Sequence, residues 1–286
     1  MLTNMERVKE FKKIVWSHYR RSGRDLPWRR TRDPYRIFVS EIMLQQTQVP
    51  RVIPKYESFI RKFPSFKALA AASLRDVLAE WKGLGYNRRG LNLKRAAEMV
   101  VKDFRGKLPK TAEELVKLPG VGPNTAGSLL AFAHNLPLPF IETNIRSAYI
   151  HFFFQGKTNI HDRDILPLIR KTLPKQSARL PRSNSRPGEF TIGEWYYALM
   201  DYGSWLKREH PNPSRRSAHH ARQSPFKGSH RELRSKVLQY VLENSRATAK
   251  KAAKTLRLEE AETADILREL AAEGLIKGNR RSFIVE

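Results

Sequence analysis

Cysteine is absent from all 286 residues, which excludes disulfides, a thiolate nucleophile, cysteine-ligated zinc and an ordinary iron–sulfur cluster. Acid is scarce: 28 Asp and Glu face 54 Lys and Arg, for a formal net charge of +26. Long apolar runs are missing too, and none approaches the roughly 20 residues that span a bilayer. The opening Met1-Leu2-Thr3-Asn4-Met5-Glu6 has no basic stretch followed by an apolar run, so no secretory signal is expected. A cytosolic protein is expected, nucleoid-associated if the source is prokaryotic. Strand-like alternation is rare, which leaves a mainly α chain. Hydrophobic residues at 40% are enough for a proper core and exclude a disordered tail.

The excess of positive charge implies a polyanionic partner, most simply nucleic acid. Its distribution is uneven. Residues 229–286 hold 12 Lys and Arg against 9 Asp and Glu, so residues 1–228 carry +23 of the total. The polyanion should therefore lie on the N-terminal part.

Apolar spacing predicts helices through Val8, Phe11, Ile14, Val15 and Tyr19, and through Tyr56, Phe59, Ile60 and Phe63. Further helices are expected over Phe66–Glu80, Leu91–Phe104, Thr111–Leu118, Thr125–His134, Thr143–Phe154 and Gly193–Leu206. Segments 178–189 and 207–230 are polar and rich in breakers, so both read as loops. Residues 229–286 look like a separate unit. Leu233, Val237, Leu238, Val241 and Leu242 stripe one helix, Thr248 caps a second, and a third runs from Glu259 to Glu273 and stops at Gly274. Leu275–Lys277 and Ser282–Val285 around Gly278-Asn279 complete a hairpin, which makes a winged helix-turn-helix arrangement.

Three short stretches carry chemistry. Leu118-Pro119-Gly120-Val121-Gly122 lies between two expected helices, where glycines let the backbone approach a phosphate with a helix N-terminus behind; a plain helix–helix turn fits as well. Glu41, in Ser40-Glu41-Ile42-Met43-Leu44-Gln45-Gln46-Thr47-Gln48-Val49, is the one acid in a run of apolar and neutral polar residues. Such surroundings raise a carboxyl pKa and suit a proton donor, although a capping role is open. Glu142, in Phe140-Ile141-Glu142-Thr143-Asn144-Ile145-Arg146, precedes a helix start, and it too could be a cap. Two carboxylates and a phosphate-gripping hairpin are the minimum for hydrolysing a glycosidic bond to a nucleobase.

These stretches, with Leu26-Pro27-Trp28-Arg29, Asp33-Pro34-Tyr35, Gly83-Leu84-Gly85-Tyr86 and Ala198-Leu199-Met200-Asp201-Tyr202-Gly203, resemble in order and spacing the MutY-type adenine DNA glycosylases. That family lies in the helix-hairpin-helix superfamily that also contains endonuclease III. The likeness runs from about residue 9 to about residue 206. It implies a two-lobed glycosylase core, residues 1–228, with the winged-helix domain, residues 229–286, appended. It implies that Glu41 protonates the departing base and that Glu142, where the family has aspartate, stabilises the sugar cation. Gln46 and Tyr86 match residues that wedge into the duplex, and Trp28, Arg29 and Tyr197 lie at the base pocket. Leu118, Pro119, Gly120, Val121 and Gly122 match the hairpin on the DNA backbone. Asn124 stands where endonuclease III-type enzymes have a Schiff-base lysine, so a monofunctional enzyme is expected.

The family usually carries four cysteines and a [4Fe–4S] cluster after the Asp201 segment. Here no cofactor is expected, and Arg215, Arg216, Arg222 and Lys227 are expected to take over backbone contacts. The partner implied is double-stranded DNA with a damaged or mispaired base; no membrane association is expected, and the protein should be a monomer. Adenine is the expected base. Thymine or uracil opposite guanine, and a non-catalytic DNA binder on the same scaffold, are the alternatives.

Overall fold

Serine and threonine punctuate the chain where helices begin: Thr3, Ser65, Ser73, Thr111, Thr191 and Thr248 each turn a side-chain oxygen to a backbone N–H of the following first turn. Such caps satisfy N–H groups that the helix itself leaves unpaired. The computed structural model describes residues 3–174, 191–221, 225–244, 246–278 and 282–286. Its helices are α1 (Asn4–Ser22), α2 (Pro34–Leu44), α3 (Val49–Lys62), α4 (Phe66–Ala71), α5 (Leu74–Trp81), α6 (Arg88–Asp103), α7 (Ala112–Leu115), α8 (Pro123–His134), α9 (Thr143–Phe153), α10 (Asp162–Thr172), α11 (Ile192–Glu209), α12 (His230–Glu243), α13 (Ala249–Leu256) and α14 (Glu260–Ala272). Strands β1 (Lys277–Gly278) and β2 (Phe283–Ile284) pair antiparallel, with Lys277 opposite Ile284. No described helix is long and apolar enough to cross a membrane.

The expected helices are present with three differences, the first being α2, over whose residues none was expected. The stretch expected as Phe66–Glu80 is two helices, because Ser73 caps a new one, α5, after a break at Ala72. Helix α10 was not expected; Pro167 lies inside it, and a proline within an apolar pattern reads as a breaker. The loop expected at 178–189 and the turn residue Asn279 lie outside the described residues.

The chain divides into two compact units. One comprises residues 1–37, 110–116 and 121–222. Here α11 lies against α9, α1 and α8. Its core is aromatic: Phe11 meets Tyr149 at 5.0 Å and Trp195 at 6.1 Å between ring centres, and all three are fully buried. Glycine permits the closest approach. A Cβ on Gly203 of α11 would stand 1.9 Å from the Asn144 carbonyl oxygen of α9.

The other unit comprises residues 38–109, 117–120 and 223–286. In it α4 and α5 pack on α6, and α12 packs on α5 and α14. Val237, Leu238 and Val241 of α12 share one apolar core with Leu78 of α5, Leu91 of α6, and Ile266, Leu267 and Leu270 of α14. Helices α12 and α14 thus share one core with residues of α5 and α6.

Candidate active site

Glu41 is the eighth of eleven residues in α2. It is no N-terminal cap, which removes the alternative left open by its sequence. Its neighbours Phe38, Val39, Ile42 and Met43 are fully buried, and Glu41 itself is half-buried. The helix ends three residues later and leads into Gln46, an exposed residue with φ of 53°.

A second strained loop lies in the same unit. Gly83 (φ 91°), Gly85 (φ 72°) and Tyr86 (φ 49°) are left-handed, and Tyr86 is 37% exposed. Glycine tolerates that conformation, whereas an amide or aromatic side chain does so at a cost of order 1 kcal/mol. Strain persists only where the surroundings over-determine it.

What over-determines both loops is Arg89, which the sequence reading missed. From the first turn of α6 its buried Nη1 donates to the carbonyls of Ile42 and Met43, both at 2.9 Å. Its Nη2 donates to Thr47 Oγ1 at 2.8 Å and to the carbonyls of Leu84 and Gly85 at 3.3 and 3.1 Å. One guanidinium thus satisfies carbonyls at the end of the Glu41 helix and fastens the Gln46 loop to the Tyr86 loop. Burial pulls its pKa down to about 10, so it stays charged at neutral pH. Trp81 adds a bond from its indole N–H to the Gly85 carbonyl. The available signal was Arg88-Arg89 one residue after Gly83-Leu84-Gly85-Tyr86, but sequence does not say which arginine turns inward.

Glu142 belongs to the first unit, and there its capping alternative is realised. It is the N-cap of α9: Oε1 accepts from the backbone N–H groups of Asn144 and Ile145, both at 2.8 Å, and Oε2 accepts from Asn144 Nδ2 at 3.1 Å. Burial pushes its pKa up; the two N–H groups, Lys207 and Arg146 pull the other way and do not cancel it. Lys207 is fixed by donating to Asn144 Oδ1 at 2.9 Å. Asn124, second residue of α8, accepts the N–H of Ile141, the residue before Glu142, at 3.2 Å.

Two residues expected at the base pocket, Arg29 and Tyr197, form a stack in this unit. Arg29 lies 4.3 Å over the Tyr197 ring, and Tyr197 stacks on Phe132 at 4.4 Å and 8°. Buried Asp201 holds Arg29 by two bonds, 2.8 and 2.9 Å, and takes two more from the Arg24 backbone N–H and Nε at 2.8 and 2.6 Å. Burial alone would raise the Asp201 carboxyl, yet hydrogen bonds and charge from Arg29 and Arg24 hold it below its ordinary range. Trp28, expected at the pocket, is only 3% exposed and belongs to the core.

At the hairpin, Leu118 and Val121 are buried anchors and Gly120 is left-handed (φ 82°). Gly122 caps α8 with Pro123 behind it and with open space where a side chain would be. Gln45 Nε2 donates to the Gly120 carbonyl at 3.1 Å. This is a helix N-terminus with exposed backbone, suited to an anion.

The expected basic contacts divide. Arg215 and Lys227 are exposed, and Arg222 lies outside the described residues. Arg216 is turned inward, donating to the carbonyls of Phe154 (2.7 Å) and Ile150 (3.1 Å) at the end of α9. Ile160 pairs with Arg216 and Ala218 through its backbone, and Ser217 Oγ donates to its carbonyl. Hydrogen bonds hold this segment, and no thiolate is present. Among the described residues no group of three or more His, Asp or Glu is gathered. These donors do not fit a [4Fe–4S] cluster.

Comparison with known proteins identifies relatives of this chain. A model of the HhH-GPD superfamily, base excision DNA repair proteins, matches residues 39–175. The adenine DNA glycosylase of Mycobacterium tuberculosis (strain ATCC 25618 / H37Rv) is 31% identical over 249 residues, 83% of this chain and 79% of that protein. That of Buchnera aphidicola subsp. Baizongia pistaciae is 38% identical over 164 residues, and the human one 40% over 154. These matches cover 57% and 51% of this chain and 46% and 28% of the relatives, so the chain spans less than half of either. Among solved structures, a thermostable thymine-DNA glycosylase aligns with a TM-score of 0.59 at 24% identity, over 69% of this chain and 86% of that one. A non-covalent endonuclease III–DNA complex aligns at 0.53 and 16%, over 82% and 95%. At such identities the likeness is one of fold: a mainly α, helix-hairpin-helix glycosylase fold.

Proposed function

The chain belongs to the adenine DNA glycosylase family of the HhH-GPD superfamily, and from that premise we propose that it is a monofunctional DNA N-glycosylase removing a mispaired adenine, opposite guanine or 8-oxoguanine, from duplex DNA. One observation carries the reading. An acid-bearing helix runs straight into a strained, exposed amide, and one buried arginine ties that loop to a second strained loop presenting an exposed tyrosine. Side chains held out in this way suit filling the gap left by an extruded base, which offsets part of the few kcal/mol of lost stacking.

In this reading Glu41 gives a proton to a ring nitrogen of the purine. The glycosidic bond then breaks, with its electron pair leaving on the base. The positive charge left on the sugar is stabilised by the Glu142 carboxylate. Water adds to the sugar carbon, and its proton returns to Glu41. Asn124 has no amine, so no Schiff base forms and an abasic site remains. Gly120 and Gly122 offer backbone to a phosphate, with Arg215 and Lys227 as further contacts. Arg29, held by Asp201 over Tyr197, is a donor wall for the base. Residues 229–286 form a winged-helix domain on the core of residues 1–228. We place the protein in the cytosol or nucleoid, as a monomer without a cofactor.

The test is base release from labelled duplexes carrying adenine, thymine, uracil or hypoxanthine opposite guanine, 8-oxoguanine or cytosine. Wild type is expected to release adenine, and Glu41→Gln to bind the same duplex while releasing at least about 10²-fold more slowly, the lower range for general acid catalysis. Equal rates for the two proteins would sink the mechanism; release of thymine or uracil alone would move the substrate to the alternative.

A further inference from the structure

The C-terminal unit reaches the wedge. Helix α12 runs past the loop between α5 and α6, and it touches that loop at both ends. At its C-terminal end Glu243 pairs with Lys82 at 3.1 Å, where the loop begins. At its N-terminal end Arg231 Nη1 donates to the Tyr86 hydroxyl at 2.6 Å, where the loop ends. The Arg231 guanidinium also lies 5.5 Å from the Tyr86 ring centre, and that of Arg89 lies 5.6 Å from it.

The helix making these contacts is firmly seated. Val237, Leu238 and Val241 share the core with Leu78 and Leu91 on the two helices that flank the loop. Arg75 of α5 adds bonds to the carbonyls of Leu242 and Val285, and its backbone N–H donates to Glu286. Arg89 and Trp81 fasten the loop backbone at Leu84 and Gly85, whereas Arg231 acts at the far end of the Tyr86 side chain. A hydroxyl held from this seated helix adds a restraint on the direction of the ring.

We propose that Arg231 is a positioning residue for base extrusion, through which the C-terminal unit sets the pose of Tyr86 before DNA arrives. The proposal rests on the reading of Tyr86 as the wedge. It gives residues 229–286 a part in opening the duplex, beyond any direct grip on DNA. Holding the phenol in advance removes ordering cost from the extrusion step.

The experiment compares wild type, Arg231→Ala, Arg231→Lys, Tyr86→Phe and the Arg231→Ala/Tyr86→Phe double variant. Two readouts are taken on one duplex series: single-turnover adenine release, and fluorescence of 2-aminopurine placed at the adenine position. Arg231→Ala and Tyr86→Phe are each expected to lower extrusion and release about ten-fold, the worth of one charge-assisted hydrogen bond, and the double variant no further. Arg231→Lys should recover part of the loss. Urea midpoints and affinity for undamaged duplex should stay at wild-type values. A wild-type signal from Arg231→Ala, or penalties that multiply in the double variant, would overturn the clamp. So would a loss carried in affinity for undamaged duplex, which would assign Arg231 to phosphates. If wild type releases no base at all, the glycosylase reading fails instead, and the 2-aminopurine signal still decides the clamp.

Discussion

Asp201 makes four hydrogen bonds at 2% side-chain exposure, and removing its charge leaves two arginines facing each other. Its carboxyl is held below the ordinary value of 3.8. A depressed pKa stabilises the fold above that value and loses the contribution as pH falls through the lower, folded-state value. Asp201→Asn is therefore expected to be about 3 kcal/mol less stable than wild type at pH 7, the range for breaking a buried pair. The gap should narrow below pH 3.8 as wild type becomes protonated. Urea unfolding from pH 7 down to acid checks this, and a gap that widened toward acid would refute the pairing. Asp201 and Arg89 mark where residue-level reading stops. Acids such as Glu41 and Glu142 stand out because charge is rare around them, whereas Arg89 is one of 54 cations. What distinguishes it is burial against five oxygens that come from residues 42 to 85, and no local spacing encodes that.

Helix α9 brings Glu142 to its place through its N-terminal turn, and the position of that turn is set by α11. With Gly203 against the Asn144 backbone, a methyl group at residue 203 would meet the carbonyl oxygen at 1.9 Å and the carbonyl carbon at 2.5 Å. Backbone cannot rotate away as a side chain can, so the two helices must separate. Gly203→Ala is expected to cost about 3 kcal/mol, the upper end for overpacking. It should also lower base release in the fraction that remains folded, because the Glu142 cap moves with Asn144 and Ile145. Circular dichroism melts with single-turnover rates below the transition check both; a variant as stable and active as wild type would disprove the close approach. Most helices were legible from apolar spacing and from caps such as Thr248. The interruption at Ala72-Ser73, helix α2 and the proline-containing α10 were not, since a strong cap can start a helix inside an unbroken apolar pattern and tertiary packing can carry a helix through Pro167.

The charge of +26 includes arginines that are turned inward and committed, such as Arg29 to Asp201, Arg89 to carbonyls and Arg216 to the end of α9, beside exposed cations such as Arg215 and Lys227. Composition located +23 of it on residues 1–228, and no packing argument was needed for that. What composition could not locate was the partner of the C-terminal helices, since the apolar stripe on α12 says that the helix is buried without saying that Leu78 and Leu91 bury it. The charge makes a prediction that does not depend on chemistry at Glu41. Each phosphate neutralised by Lys or Arg releases about one condensed counterion, so the logarithm of affinity should fall linearly with the logarithm of salt. If six or more phosphates are engaged, affinity for duplex DNA should drop by about 10³-fold or more between 50 and 200 mM salt. Fluorescence anisotropy on an undamaged duplex measures the slope directly. Arg215→Ala and Lys227→Ala, both exposed, should each reduce the slope by about one. Arg216→Ala should leave it unchanged while lowering stability, because its guanidinium holds α9 carbonyls and not the ligand. A flat salt dependence, or a slope that shifts with Arg216 and not with Arg215, would mean that these exposed cations do not hold the DNA.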